Sequence, residues 1–260
     1  MPEIQVGIQL ASLKLPFKKA LHTAARLGAN AVEIDARAEV RPEELSRTAI
    51  RQIRKMLDDL NLRVCAVRFP TQHGYHFVRD LDRRIAATKR TMEMAYALGA
   101  GILVNQVGRV PDESSGPDWD MLVQSLTDIG RHGQKVGTFL AAETGSESGE
   151  SMLRLIQALP DGTVGVTLDP GNLTVNNFSA RDAALILGRH ILYVHAKDGV
   201  RDLAQGRGIE VPLGRGSVDF PEILGILEEH QYRGYFTIER STAEDPVYEI
   251  GAAVQYLRSL

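Results

Sequence analysis

One cysteine, Cys65, is the only thiol in this 260-residue chain, so no disulfide can form within it and no cysteine cluster can hold a metal. Cys65 stands in the apolar run ArgValCysAlaVal, where a buried, inert thiol is expected rather than a nucleophile. An excess of either charge is also missing. The 30 lysines and arginines face 33 aspartates and glutamates, a formal net charge of −3 with both signs interspersed. A basic face for a phosphate backbone is therefore not expected, and neither is nucleic acid as a partner. No apolar stretch approaches the roughly 20 residues that cross a bilayer. The start, MetProGluIleGlnValGlyIle, enters an apolar strand without a basic leader or a small-residue cleavage site. A cytoplasmic protein without a membrane partner is the expectation. No low-complexity segment or linker divides the chain, so one domain over residues 1–260 is expected.

What is present is a rhythm. Apolar runs occur near Val6 to Leu10, Ala31 to Asp35, Arg63 to Phe69, Ile102 to Gln106, Thr138 to Glu143, Val164 to Asp169, Ile191 to His195 and Tyr235 to Glu239. They are spaced by roughly 25 to 40 residues, and helical periodicity follows each. Helices are expected near Phe17 to Leu27, Pro42 to Leu60, Leu81 to Leu98, Trp119 to Val136, Gly149 to Leu159, Ala180 to Leu187, Pro221 to His230 and Pro246 to Leu260. Repeated βα units with 43% hydrophobic residues predict the α/β class and a single (β/α)8 TIM barrel, a fold of about 250 residues. An open doubly wound sheet is the alternative, and eight units of similar length favour closure.

Finer features follow from the same reading. The second helix carries Leu45, Ile50, Ile53, Met56, Leu57 and Leu60 on one stripe, which should face the barrel. Gly28 and Gly99 suit left-handed helix stops, and Ser217 or Asp219 suits a helix cap. Long connections at Pro70 to Asp80, Val107 to Asp118 and Ala196 to Ser217 belong at the catalytic mouth.

Four of the strands end in an acid or imidazole: Glu143, Asp169, His195 and Glu239. In a closed parallel barrel the C-terminal strand ends converge on one mouth. Three carboxylates and one imidazole there predict a site for one divalent ion with positions left for substrate oxygens. Manganese is the expected ion, and magnesium or cobalt also suits so much carboxylate oxygen. Any one such residue reads equally as a solvated strand end or a helix cap; four together favour a site. Glu33, Asp35, Arg68, Asn105 and Gln106 are candidates for the polar lining. His73, Tyr75 and His76 follow the third strand as a lid over substrate. Lys197 and Asp198 are expected to pair at the mouth. The glycines at 206, 208, 214 and 216 only superficially suggest a phosphate cradle, since no strand immediately precedes a GxGxxG turn.

With Glu143, Asp169-Pro170-Gly171-Asn172, His195-Ala196-Lys197-Asp198 and Glu239-Arg240 in order, the chain resembles the sugar isomerase and epimerase superfamily with a xylose-isomerase-like barrel. Its members include ketose 3-epimerases, hydroxypyruvate isomerase, inosose dehydratases and endonuclease IV. The likeness covers essentially the whole chain, including Pro212 to Phe220 and Tyr232-Arg233-Gly234-Tyr235. It implies that Glu143, Asp169, His195 and Glu239 bind the metal and that Glu143 and Glu239 double as acid and base, from opposite sides of the barrel axis. It also places Arg201, six residues after His195, on substrate hydroxyls. Asn172 stands where many relatives carry a histidine; it can bind a hydroxyl but cannot exchange a proton near neutral pH. With Arg68 and His73 it completes the expected substrate-binding set. The implied activity is a sugar isomerase or epimerase that forms an enediolate on a keto sugar or related polyol. The alternative is a dehydratase or lyase on a cyclic keto polyol. Asn172 and the acidic balance speak against phosphodiester hydrolysis, and the glutamate pair against passive sugar binding. A small molecule is the expected partner, and a homo-oligomer is compatible with this reading.

Overall fold

The computed structural model describes residues 4–201, 206 and 208–260. The chain enters the barrel at β1 (Val6–Gln9), β2 (Ala31–Asp35), β3 (Arg63–Arg68), β4 (Ile102–Asn105), β5 (Phe139–Glu143), β6 (Val164–Leu168) and β7 (Ile191–Ala196). A short antiparallel hairpin, β8 (Asp198–Val200) with β9 (Ile209–Val211), then precedes the last barrel strand, β10 (Phe236–Ile238). The eight parallel strands close in the order β1-β10-β7-β6-β5-β4-β3-β2. Such strands have helices outside and side chains inside, so both faces are buried; β1, β2 and β6 are buried at every position. Each lies within two residues of its expected bounds.

Helices α1 (Phe17–Leu27), α2 (Arg47–Asp59), α3 (Leu81–Leu98), α4 (Pro117–Val136), α5 (Gly149–Ala158), α6 (Pro170–Val175), α7 (Ala180–Leu187), α8 (Phe220–Glu229) and α9 (Pro246–Ser259) fill the connections. The expected second helix is broken: a 3-10 turn at Pro42–Glu44 precedes α2, which starts where the Ser46 hydroxyl accepts the Ala49 N–H. Its stripe does face the barrel, with Ile53 and Leu57 buried and Leu45, Ile50, Met56 and Leu60 packed against the core. Gly28 and Gly99 end α1 and α3 at φ of 90° and 89°. Asp219, not Ser217, caps α8. Among the described residues no helix is long and apolar enough to cross a membrane.

The two-residue period of a strand sends Tyr193 and His195 inward from β7, and Thr237 inward from β10 with Glu239 just beyond it. Beneath the mouth, the Tyr193 hydroxyl donates to Thr237 Oγ1 at 2.6 Å and lies 3.2 Å from Cys65 Sγ. This small polar floor is tight enough that a Cβ at Gly7 would fall 2.3 Å from Thr237 Oγ1. Cys65 is buried there, and burial pushes its thiol up to about 12.

Candidate metal centre and active-site cleft

Glu143 closes β5, Asp169 follows β6 and caps α6, His195 lies in β7, and Glu239 follows β10. These four strands are consecutive around the ring, so the four side chains form an arc. Glu143 and Glu239 stand at its two ends, three strands apart in a ring of eight. The residues are 4%, 0%, 0% and 5% exposed in chain order, and one ligand atom from each lies within 4.8 Å of all the others. Glu143 Oε2, Asp169 Oδ2, His195 Nδ1 and Glu239 Oε2 are all buried without a hydrogen-bond partner. His195 Nδ1 comes within 3.0 Å of Glu239 Oε2, but the alignment is not that of a hydrogen bond. Leaving even a neutral buried group unpaired costs about 1–3 kcal/mol, and a charged one more. Four such atoms converging, three of them carboxylate oxygens, fit a divalent cation.

The orientation of His195 is set from behind. Its Nε2 lies 2.9 Å from Glu33 Oε2, both side chains being fully buried. The carboxylate accepts from the ring N–H there, which leaves Nδ1 to face the cluster. Glu33 Oε1 accepts from Gln9 Nε2 at 2.8 Å, and Gln9 Oε1 accepts from the Ser12 hydroxyl at 2.7 Å. Ser12 Oγ in turn accepts the N–H of Arg240 at 3.0 Å. The chain of bonds thus returns to the residue after Glu239. Glu33→Gln should lower the affinity for a divalent ion about 10- to 100-fold, measured by calorimetric titration of metal-free protein. Unchanged affinity would reduce Glu33 to packing.

Burial raises the Glu143 carboxyl, and the negative Glu239 raises it further. Glu239 is driven the other way: burial is outweighed by His195, Lys197 and Arg68, which hold it down at about 2. Asp169 is pushed up to about 7, chiefly by burial, against the pull of Lys197. For His195 burial opposes the charge, but Glu33 and Glu239 overcome it and raise the ring to about 10. A proton and a cation therefore compete for Nδ1.

The model of the xylose isomerase-like TIM barrel family matches residues 21–260. The chain belongs to that family. An inosose dehydratase from Bacillus velezensis is 28% identical over 152 residues, 51% of this chain and 49% of that protein. The chain spans about half the length of the curated relatives it matches. A xylose isomerase domain protein from Planctomyces limnophilus superposes with a TM-score of 0.88 at 25% identity, over 99% of this chain and 97% of that one. A xylose isomerase-like TIM barrel protein from Mycobacterium smegmatis, solved in complex with magnesium, shares the fold at a TM-score of 0.76 and 19% identity, over 99% and 96% of the two chains.

In this xylose isomerase-like barrel Lys197 and Asp198 do not pair. Neighbours in an extended segment point to opposite sides, so Lys197 turns inward and Asp198 outward. Lys197 Nζ donates to Glu239 Oε1 at 3.2 Å and lies 3.8 Å from Asp169 Oδ2. Asp198 accepts the backbone N–H groups of Gly199, Gly214, Gly216 and Val218 at 2.8 to 3.2 Å. A Cβ at Gly216 would fall 2.0 Å from Asp198 Oδ1. The glycines at 214 and 216 thus serve a carboxylate clasp that holds the β7 connection, not a phosphate.

A cleft of about 320 Å³ opens beside Glu143, and both His73 and Asn172 line it. Asn172 donates Nδ2 to Glu143 Oε1 at 3.1 Å and its backbone N–H to Asp169 Oδ1 at 2.7 Å. His73 is exposed and stacks on Phe77 with ring centroids 4.4 Å apart. Arg68 is half-buried, 3.6 Å from Asp35. Burial opposes its charge, but Glu143, Glu239, Glu33 and Asp35 hold it firmly protonated. Arg201 is exposed after β8, and neither arginine lines this cleft. Of the connection expected from Ala196 to Ser217, residues 202–205 and 207 lie outside the described residues.

The loop after β3 is not the lid expected of it. Tyr75 is fully buried, bonds Thr88 through its hydroxyl at 2.7 Å, and donates its N–H to Val107 O at 2.9 Å. Arg84 adds bonds to the carbonyls of Gly74 and Arg79, each at 3.0 Å. A loop fastened at so many points is a fixed wall.

Proposed function

We propose that this protein is a divalent-metal-dependent isomerase or epimerase that forms an enediolate on a keto sugar or related polyol. The observation that carries the reading is the pair Glu143 and Glu239, which stand at the two ends of one buried cluster, each with a carboxylate oxygen left without a hydrogen-bond partner. Two carboxyls that reach one bound substrate can divide the work of acid and base. One of the two would take the proton from the carbon beside the ketone, and the other would return a proton to the enediolate. Lys197 holds Glu239 by Oε1, which leaves Oε2 directed into the site. Asn172 steadies Glu143 in the same way. A divalent ion held by Glu143, Asp169, His195 and Glu239 would supply electrostatic stabilisation of the enediolate oxygens. Manganese is the ion we assign; the magnesium of the Mycobacterium smegmatis neighbour is compatible with the same donors. Asn172, His73, Arg68 and Arg201 are assigned to substrate oxygens. One domain over residues 1–260 belongs to the same reading.

A second reading, dehydration of a cyclic keto polyol, is favoured by the inosose dehydratase relative. There the same enediolate would expel a β-hydroxyl instead of being reprotonated. Incubating metal-loaded protein with keto sugars and inositol ketones in heavy water separates the two. An isomerase or epimerase returns product of conserved carbon and oxygen content with deuterium at the reacting carbon. A dehydratase returns product short of one water. Absence of both deuterium exchange and conversion across the panel would remove both readings.

A further inference from the structure

We infer that the substrate is an uncharged polyhydroxy ketone, not a phosphate ester, and that its hydroxyl-bearing end lies in the cleft beside Glu143. This inference rests on the isomerase or epimerase reading and deepens it. The cleft holds about 320 Å³, within the range of small-molecule sites. Thr71, Gln72, Gln106, Ser146, Asn172 and Asn176 are among the residues that line it. Hydroxyls and amides both donate and accept, as sugar hydroxyls do.

The charged groups around the cleft point the same way. Glu143 is the one carboxylate among its described lining residues. Lys197 donates to Glu239 and Arg68 lies 3.6 Å from Asp35, and neither lines the cleft. The described lining includes no lysine or arginine. Among the described lining residues, a phosphoryl group there would meet the Glu143 carboxylate and no lysine or arginine.

The wall is also built in advance. A Cβ at Gly74 would fall 2.6 Å from Gly108 Cα, and one at Gly108 would fall 2.5 Å from Gly74 Cα. The β3 and β4 loops are therefore pressed backbone to backbone, and Tyr75 anchors them. Such a wall loses little freedom when a ligand binds.

The test pairs free ketohexoses and ketopentoses with their terminal phosphate monoesters. The metal-loaded protein is assayed for α-proton exchange in heavy water, and binding is measured by calorimetry. The free sugar should be preferred in kcat/KM by about 10-fold or more, because like charges placed together discriminate strongly. Gln106→Ala and Asn176→Ala should each raise KM for the free sugar several-fold, with metal content unchanged. Gln106→Lys should shift preference toward the phosphate ester. Preference of the unaltered protein for the ester, or unchanged KM in both alanine variants, overturns the inference alone. Absence of exchange with both members of every pair defeats the isomerase or epimerase reading, and this inference with it.

Discussion

Asp169→Ala is expected to abolish divalent-ion binding while the barrel remains folded. Asp169 is fully buried, and its Oδ2 is one of the four unpartnered atoms at the centre of the cluster. Removing it deletes a ligand and a negative charge and leaves an uncoordinated side. Metal analysis should give about one ion per chain in the unaltered protein and almost none in the variant. The variant also loses the cap that Asp169 Oδ1 provides to the Asn172 N–H, a cost of about 1 kcal/mol, which a closed barrel should survive. Thermal denaturation supplies the control. A ligand present at 100 times its dissociation constant stabilises by about 2.7 kcal/mol, so chelation should lower the melting temperature of the unaltered protein and leave that of Asp169→Ala unmoved. Full metal content in the variant would refute the site.

Asp169 also shows why some features were legible in the sequence and others were not. A carboxylate at the end of ValGlyValThrLeu contrasts with its run, as Glu143, His195 and Glu239 contrast with theirs, and barrel closure brings such ends together. Reading Asp169 as a ligand hid its second role. Asp followed by Pro is also a helix start, and α6, only six residues from Pro170 to Val175, is too short to show periodicity. Glu33 was visible only as one polar residue within AlaValGluIleAsp. Its partner His195 lies 162 residues away, on a strand three steps around the ring, and nothing local sets that pairing. Tyr75 misled for a related reason. An aromatic in a long loop looks the same whether it covers a substrate or pins the loop, and its burial depends on packing against α3 and α4, where Thr88 and Ser125 meet it.

The mechanism itself is tested by Glu239→Gln, once a converted substrate is known. The amide keeps one oxygen for the metal, but its NH2 cannot accept the bond that Lys197 now donates to Glu239 Oε1 at 3.2 Å. It cannot accept a proton from carbon. Net conversion should fall by at least about 100-fold, the usual scale of general acid and base catalysis, while metal content stays near that of the unaltered protein. Exchange need not fall equally. Glu143 keeps its carboxyl and its bond from Asn172, so it can still remove and return a proton at its own position. One isomer should therefore take up deuterium from heavy water while forming little product, and the other should take up none. A protein that merely binds sugar has no route to such one-sided exchange. Wild-type conversion in Glu239→Gln would leave Glu239 as a replaceable ligand and the two-carboxyl mechanism wrong; loss of metal along with activity would move the defect from proton transfer to assembly of the site.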